Sequence, residues 1–177
     1  MTMWFTSDTH FGHTNIIHYC ARPFANVEAM NEALIANWNE RVRPGDIVYH
    51  LGDFCMGTNH EPILRRLNGQ KWLIVGNHDR EVVRKCGLWT EVRYYHEIKY
   101  QKKMACLMHY PLRTWNGVGR GSYMLFGHVH GTLDGRGRSM DVGVDSIGFS
   151  PISWEEIIQE MEQRDVWGED YHATGSR

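Results

Sequence analysis

YMLFGHVHG, residues 123–131, ends an apolar run in two histidines set two apart, His128 and His130, between Gly127 and Gly131. In an extended segment a spacing of two puts both rings on one side. Glycine beside them removes the bulk that would keep other groups away. Neutral imidazole is the commonest protein ligand for metals. One histidine in a loop means little, but this chain has 11 in 177 residues and they do not scatter evenly. A short strand that delivers ligand-type side chains at its end is the unit to look for elsewhere.

The unit recurs. MWFT (3–6) reads as a strand and is followed by Ser7-Asp8-Thr9-His10; IVYHL (47–51) is followed by Gly52-Asp53. KWLIV (71–75) runs into Gly76-Asn77-His78-Asp79, and KMACLM ends in His109. Each has a bland reading alone. Asp8 suits a helix N-cap, Asp53 a turn, Asn77 and Asp79 are good turn formers, and His109 could be a satisfied or surface histidine. Together they require five coincidences at the same kind of position. In open α/β sheets, sites gather outside the carboxyl ends of strands.

Between these strands lie helical patterns. In residues 26–42, Asn26 is a plausible N-cap and Val27, Met30, Leu34 and Trp38 share one face. Residues 61–67 form a short helix with Pro62 in its first turn, and 80–86 a helix closed by Gly87. From about 92 the pattern turns β-rich: VRYYHEIKY and KMACLMH read as a hairpin around Gln101-Lys102, with SMDVGV (139–144) a further strand. A last helix, 153–163, has Ser153 and Glu156 spaced as a capping box. Alternating β and α, then mostly β, predicts an α/β fold of two packed β-sheets flanked by helices. The expected organisation is a single domain over 1–165 with a frayed tail from 166 to 177.

Composition sets outer bounds. Hydrophobic residues make up 42% and charged residues 23%, as in soluble globular proteins. No apolar run approaches the ~20 residues that cross a bilayer. The first motif begins by Asp8, which leaves no room for a signal peptide before it, so a cytoplasmic protein with no membrane partner is expected. Cys20, Cys55, Cys86 and Cys106 form no C-x-x-C pair and read as reduced, mostly buried thiols. A net charge of −2 argues against a general nucleic-acid coat.

The ordered set Asp8-x-His10, Gly52-Asp53, Gly76-Asn77-His78-Asp79, His109 and Gly127-His128-x-His130 resembles the calcineurin-like metallophosphoesterases. FGHTNII after the first motif and RPF at 22–24 are similar to compact bacterial and phage members. The resemblance implies metal-dependent hydrolysis of phosphoesters, with a metal-activated hydroxide as nucleophile. Such chemistry uses two metals about 3.5–4 Å apart, which lower the pKa of a bound water toward ~7 and neutralise the phosphoryl oxygens. By the resemblance, Asp53 bridges the pair, Asp8, His10 and His130 hold one ion, and Asn77, His109 and His128 hold the other. His78 would face the substrate as acid or phosphoryl stabiliser, with Asp79 holding its ring. The mixed N/O set suits Mn first, with Fe, Zn or Ni as alternatives.

One departure from the resemblance concerns the substrate. Many family members carry an arginine soon after the bridging aspartate; here Phe54-Cys55-Met56-Gly57 follows Asp53. Arg22, in the rigid RPF context, and Arg113, four residues after His109, are the expected substitutes on the phosphate. His13 and His18 read as packing or supporting residues. Trp115, in a Gly-rich loop, reads as a loop anchor, with base stacking as the alternative. The expected partner is a small phosphorylated substrate, and a nucleotide is among the candidates. Monoester, linear diester and cyclic nucleotide all fit the same core. A nuclease would want a basic channel or a capping domain, for which 177 residues leave little room. A non-catalytic scaffold of the same fold would have lost ligands and His78, and none is lost.

Overall fold

A computed structural model describes residues 1–167. In chain order the elements are β1 Met3–Thr6, α1 Thr14–Tyr19, α2 Val27–Arg41, β2 Ile47–His50, α3 His60–Arg66, β3 Gln70–Ile74, α4 Glu81–Arg84, β4 Glu91–Arg93, β5 Tyr95–Tyr100, β6 Lys103–Met108, β7 Tyr123–Phe126, β8 Ser139–Asp141, β9 Ile152–Ser153 and α5 Trp154–Met161, with a 3₁₀ turn at Val118–Arg120. One sheet has the order β4-β3-β2-β1-β9, the other β5-β6-β7-β8. In the first, β1 to β4 run parallel and β9 antiparallel; in the second, β5 and β6 are an antiparallel pair and β6, β7 and β8 run parallel. The protein is therefore α/β with two packed mixed sheets, as its sequence predicts.

The period of two along each strand builds the layers. Trp4, Val48 and Leu73 face the helices and pack with Met30, Leu34 and Trp38 of α2. Their neighbours Phe5, Tyr49 and Ile74 face the second sheet, where they meet Ala105, Leu107, Tyr123 and Leu125. The alternate residues Cys106, Met124 and Phe126 point outward onto Trp115 and Val118. A loop and its 3₁₀ turn thus cover the outer face of the second sheet. Trp115 is 6% exposed and donates its indole N–H to the Ser122 carbonyl at 3.2 Å, which makes it the loop's anchor. Each fully buried Leu, Ile or Phe in these layers stabilises by roughly 1.5–3 kcal/mol.

Local signals explain several boundaries. The Asn26 side chain accepts from the Ala29 N–H at 2.8 Å and starts α2. Ser153 and Glu156 complete the capping box of α5. Gln101 and Lys102, both at positive φ (47° and 62°), make the tight β5–β6 turn. Three expectations need correction. VRYYHEIKY is not one strand: it breaks at Tyr94, so that β4 pairs with β3 in the first sheet and β5 with β6 in the second. The strand over 139–144 stops at Asp141, because the chain leaves the second sheet there and Gly143 bridges to Ser7 of the first. The helix over 80–86 is reduced to α4. Of the tail expected to fray, Trp167 packs beneath the Arg136 guanidinium at 4.0 Å; residues 168–177 lie outside the described residues. No helix among the described residues is long and apolar enough to cross a membrane.

Candidate metal centre

The carboxyl ends of β1, β2, β3, β6 and β7 meet at one place. Backbone bonds stitch their loops together: Asp8 N–H to the Gly52 carbonyl at 2.9 Å, His10 N–H to Asp53 at 3.0 Å, and Gly127 N–H to His109 at 2.9 Å. The approach is so close that a side chain at Gly52 would stand 2.5 Å from the Gly76 nitrogen and 2.7 Å from the His109 Nδ1. One at Gly127 would collide with Ser7 and Asp8. These glycines are where they are because the loops touch.

Asp8, His10, Asp53, His128 and His130 all adopt positive φ, between 48° and 73°. Such conformations cost a non-glycine residue of order 1–3 kcal/mol and gather at functional sites. The strain aims side chains inward. Asp8, His10 and His130 bring ligand atoms within 4.8 Å of one another, as do Asp8, Asp53 and His109. The Asp53 Oδ2 lies 3.5 Å from the His10 Nε2 of the first group and 3.6 Å from the His109 Nε2 of its own. The Asn77 Oδ1 is 2.9 Å from the same His109 nitrogen. His128 is exposed, its ring 5.2 Å from that of His109 and 4.6 Å from that of Tyr110.

The donor chemistry fits cations. His109 donates from Nδ1 to the Leu51 carbonyl at 2.8 Å, so its Nε2 carries a lone pair that faces the Asn77 oxygen. Two acceptors aimed at each other repel unless a cation lies between them. The Asp8 Oδ1 and both His10 ring nitrogens are buried without a hydrogen-bond partner among the described residues, an expensive arrangement for purely structural side chains. Burial, reinforced by the charge of His130, pushes His10 down to about 2, which leaves it neutral and able to ligate. Burial lifts Asp8 to about 7, against the opposing pull of His130 and of its hydrogen bonds from Ser7 and His128.

Supporting residues lie behind the ligand candidates, and two of them have roles the sequence does not suggest. Asp145 accepts from the His130 Nδ1 at 2.7 Å, fixing the ring so that Nε2 faces Asp8. Burial opposes charge on His130, but this hydrogen bond and Asp8 raise its pKa. Arg22 grips Asp145 with two bonds of 2.8 and 2.7 Å and also donates to the Thr9 and Asp8 carbonyls. Its side chain is 0% exposed, so the placement on substrate phosphate is corrected: Arg22 holds the centre from behind. Asp141 ties down the turn of the opening stretch by accepting from Gly131 and Gly143. Nothing in local spacing marks Asp145 or Asp141 beyond their place at the end of the last apolar run.

Asp79 also differs from expectation. Its carboxylate does not hold the His78 ring. It accepts the backbone N–H groups of Asp53, Phe54 and Gly76 at 2.8 to 2.9 Å and so locks two ligand-bearing loops together. His78 is exposed at the mouth, its ring 5.6 Å from that of His10, with its N–H on the Asp53 Oδ1 at 2.8 Å. Arg113 is exposed on the loop after His109, and His18 is exposed on α1. Burial pushes the Cys55 thiol up to about 12, so it is inert beside the site.

The His130–Asp145 pair predicts a measurable effect. Asp145→Asn should weaken Mn²⁺ affinity by roughly 10–100-fold, the usual range for such an outer partner. It should also lower thermal stability, because the buried Arg22 loses its counter-charge. Calorimetric titration well below the unfolding temperature tests the first part, and unchanged affinity would remove His130 from the ligand set.

Known proteins share this arrangement of layers. The protein of unknown function AQ665 from Aquifex aeolicus matches with a TM-score of 0.74 and 27% identity, over 90% of this chain and 98% of that one. Yfce, a phosphoesterase from E. coli, shares the fold at a TM-score of 0.51 and 17% identity, over 86% of this chain and 81% of its own. The calcineurin-like phosphoesterase model matches residues 1–175, and the chain belongs to that family. The class of chemistry that this family defines is hydrolysis of phosphoesters. Among individual relatives, the uncharacterized protein MJ1445 of Methanocaldococcus jannaschii is 36% identical over 175 residues, 93% of each chain. The Gene 66 protein of Mycobacterium phage D29 is 25% identical over 194 residues, 93% of this chain and 94% of that one.

Proposed function

We propose that the protein hydrolyses small phosphorylated substrates at a two-metal centre. Asp8, His10, Asp53 and His130 would hold one ion, and Asp53, Asn77, His109 and His128 the other. The observation that carries this reading is the position of one oxygen, the Asp53 Oδ2, at nearly equal distance from His10 and His109. A carboxylate oxygen between two imidazole lone pairs is placed to serve two cations. When bound, the pair supplies an activated water and positive charge for the phosphoryl oxygens.

The chain's own residues do the rest. Asp79 keeps the 53 and 76 loops in register, Arg22 and Asp145 orient His130, and His78 at the mouth faces whatever ester occupies the centre. A protonated His78 would give a proton to the departing oxygen or steady the phosphoryl oxygens. Manganese is our first choice for both positions, since the mixed N/O ligands suit it, and Fe, Zn or Ni would also fit. A soluble cytoplasmic setting and a substrate small enough to need no nucleic-acid channel complete the proposal.

Metal stoichiometry is the test. After Mn²⁺ loading, elemental analysis should approach two equivalents per chain, and turnover should rise with the second. Full activity at a firm one equivalent would sink the two-metal reading. A panel of monoesters, linear diesters and cyclic nucleotides, with gel shifts on single- and double-stranded nucleic acid, separates a small-substrate enzyme from a nuclease.

A further inference from the structure

One histidine at the centre has no part in the scheme above. His13 lies in the loop between β1 and α1, and that loop is bonded edge to edge with the segment after Asp53. Phe11 N–H donates to the Phe54 carbonyl at 2.9 Å and Met56 N–H returns to Phe11 at 2.8 Å. Gly12 follows at φ +76°, and a side chain there would stand 2.8 Å from the Met56 carbonyl. The next residue, His13, is therefore delivered beside the stretch Phe54–Gly57, which carries no cationic side chain of its own. Its backbone is fixed by an N–H bond to the His10 carbonyl at 3.0 Å.

The ring sits 5.5 Å from that of His10, which itself stands 5.6 Å from His78 and 5.2 Å from His130. Burial, and after it the charge of His78, lowers the His13 pKa. The His13 Nδ1 is enclosed without a hydrogen-bond partner among the described residues, while the ring as a whole is half-buried. Tyr19, at 6.2 Å and edge-on, supports its outer side. A residue serving only as packing would not need imidazole here, with an unpaired nitrogen beside a cluster of ligand candidates. Arg22, one of the two arginines expected on the phosphate, is spent on Asp145 and two carbonyls.

We propose that His13 is a second substrate-facing histidine, which donates an N–H from Nε2, the nitrogen that is not enclosed, to a non-bridging phosphoryl oxygen on the His10 side of the centre. The assignment rests on the phosphoesterase reading above. Imidazole carries an N–H in either protonation state, so the role does not need a charged ring. A donor to a non-bridging oxygen acts on ground state, transition state and the phosphate product alike, and it is indifferent to the leaving group.

The test uses Mn²⁺-loaded full-length protein, His13→Leu and His13→Gln, with inorganic phosphate as the binding probe. The leucine variant should keep its metal content, bind phosphate about tenfold more weakly by calorimetry, and lose about 10–10² in kcat/KM. The loss should be the same for aryl and alkyl esters. Glutamine, which restores an N–H donor, should recover part of both. Unchanged phosphate affinity in the leucine variant would reduce His13 to packing, and loss of metal would make it a ligand; either overturns the proposal. Should leucine fail to fold, His13→Ala replaces it, and phosphate affinity unchanged in that variant would equally refute the proposal. Wild-type protein that takes up no metal would instead remove the underlying phosphoesterase reading.

Discussion

Asp53→Asn is expected to reduce turnover by about 10³ or more, which corresponds to about 4 kcal/mol of barrier, and to lower metal content at both positions. The same change at Asp8 should be milder and fall mainly on one ion. The asymmetry comes from geometry. The Asp53 Oδ2 reaches both imidazole groups, and its Oδ1 also takes the His78 N–H at 2.8 Å. The Asp8 Oδ1 instead lies 3.9 Å from both His10 and His130 on one side, and its Oδ2 is occupied by the His128 N–H at 2.9 Å. Asparagine preserves the shape at either position and removes one negative charge. Metal content and turnover of the two variants, measured side by side, make the comparison. Equal and mild losses would mean that no single carboxylate joins the two groups.

Much of the centre is legible in the sequence because each ligand candidate follows an apolar strand closely. Strands of four to six residues are short enough that their ends, and the side chains just beyond, are fixed by the sheet. Asp8, Asp53, Asn77, His109 and the His128/His130 pair all converge for that reason. What spacing cannot carry is which face a residue presents once φ turns positive, as it does at four of these residues and at His10. Nor does it carry partnerships across the chain: Arg22 and Asp145 are 123 positions apart. Asp79 shows the same limit. Its neighbour in sequence is His78, but its carboxylate finds the backbone of residues 53 and 54 from another strand.

The sheets were harder to divide than to detect. Residues 92–100 keep a β-rich composition straight through Tyr94, so nothing local reveals that the chain passes from the edge of one sheet to the edge of the other. The run 139–144 hides a similar passage, from β8 to the bridge between Gly143 and Ser7. That second crossing has a consequence for the centre. It brings Asp141 and Asp145 behind the 127–131 turn, and it is how the last apolar run comes to support the first ligand pair. The helices α2 and α5, by contrast, declare themselves through capping: Asn26 and Ser153 each act where their sequence context places them.

His78→Ala should leave metal content and fold near normal while turnover falls by roughly 10²–10⁴, the range for a positioned acid–base group. The structure allows that separation. The His78 ring is exposed and belongs to neither ligand group, while its backbone N–H, which alanine keeps, makes the bond to Asp53. Removing the imidazole therefore leaves the carboxylate in place. The size of the loss should depend on the leaving group. An aryl phosphoester departs as a stable phenolate and needs little proton donation, so it should suffer least. An alkyl ester, such as a ribose-linked phosphate, departs as a strongly basic alkoxide and should suffer most. If His78 instead steadies the phosphoryl oxygens, both substrates should fall by similar factors, the pattern expected of His13→Leu. Comparing the two variants on the same aryl and alkyl pair thus assigns the two histidines against each other. Outright loss of metal in His78→Ala would make the ring a ligand and remove the division of roles on which both assignments depend.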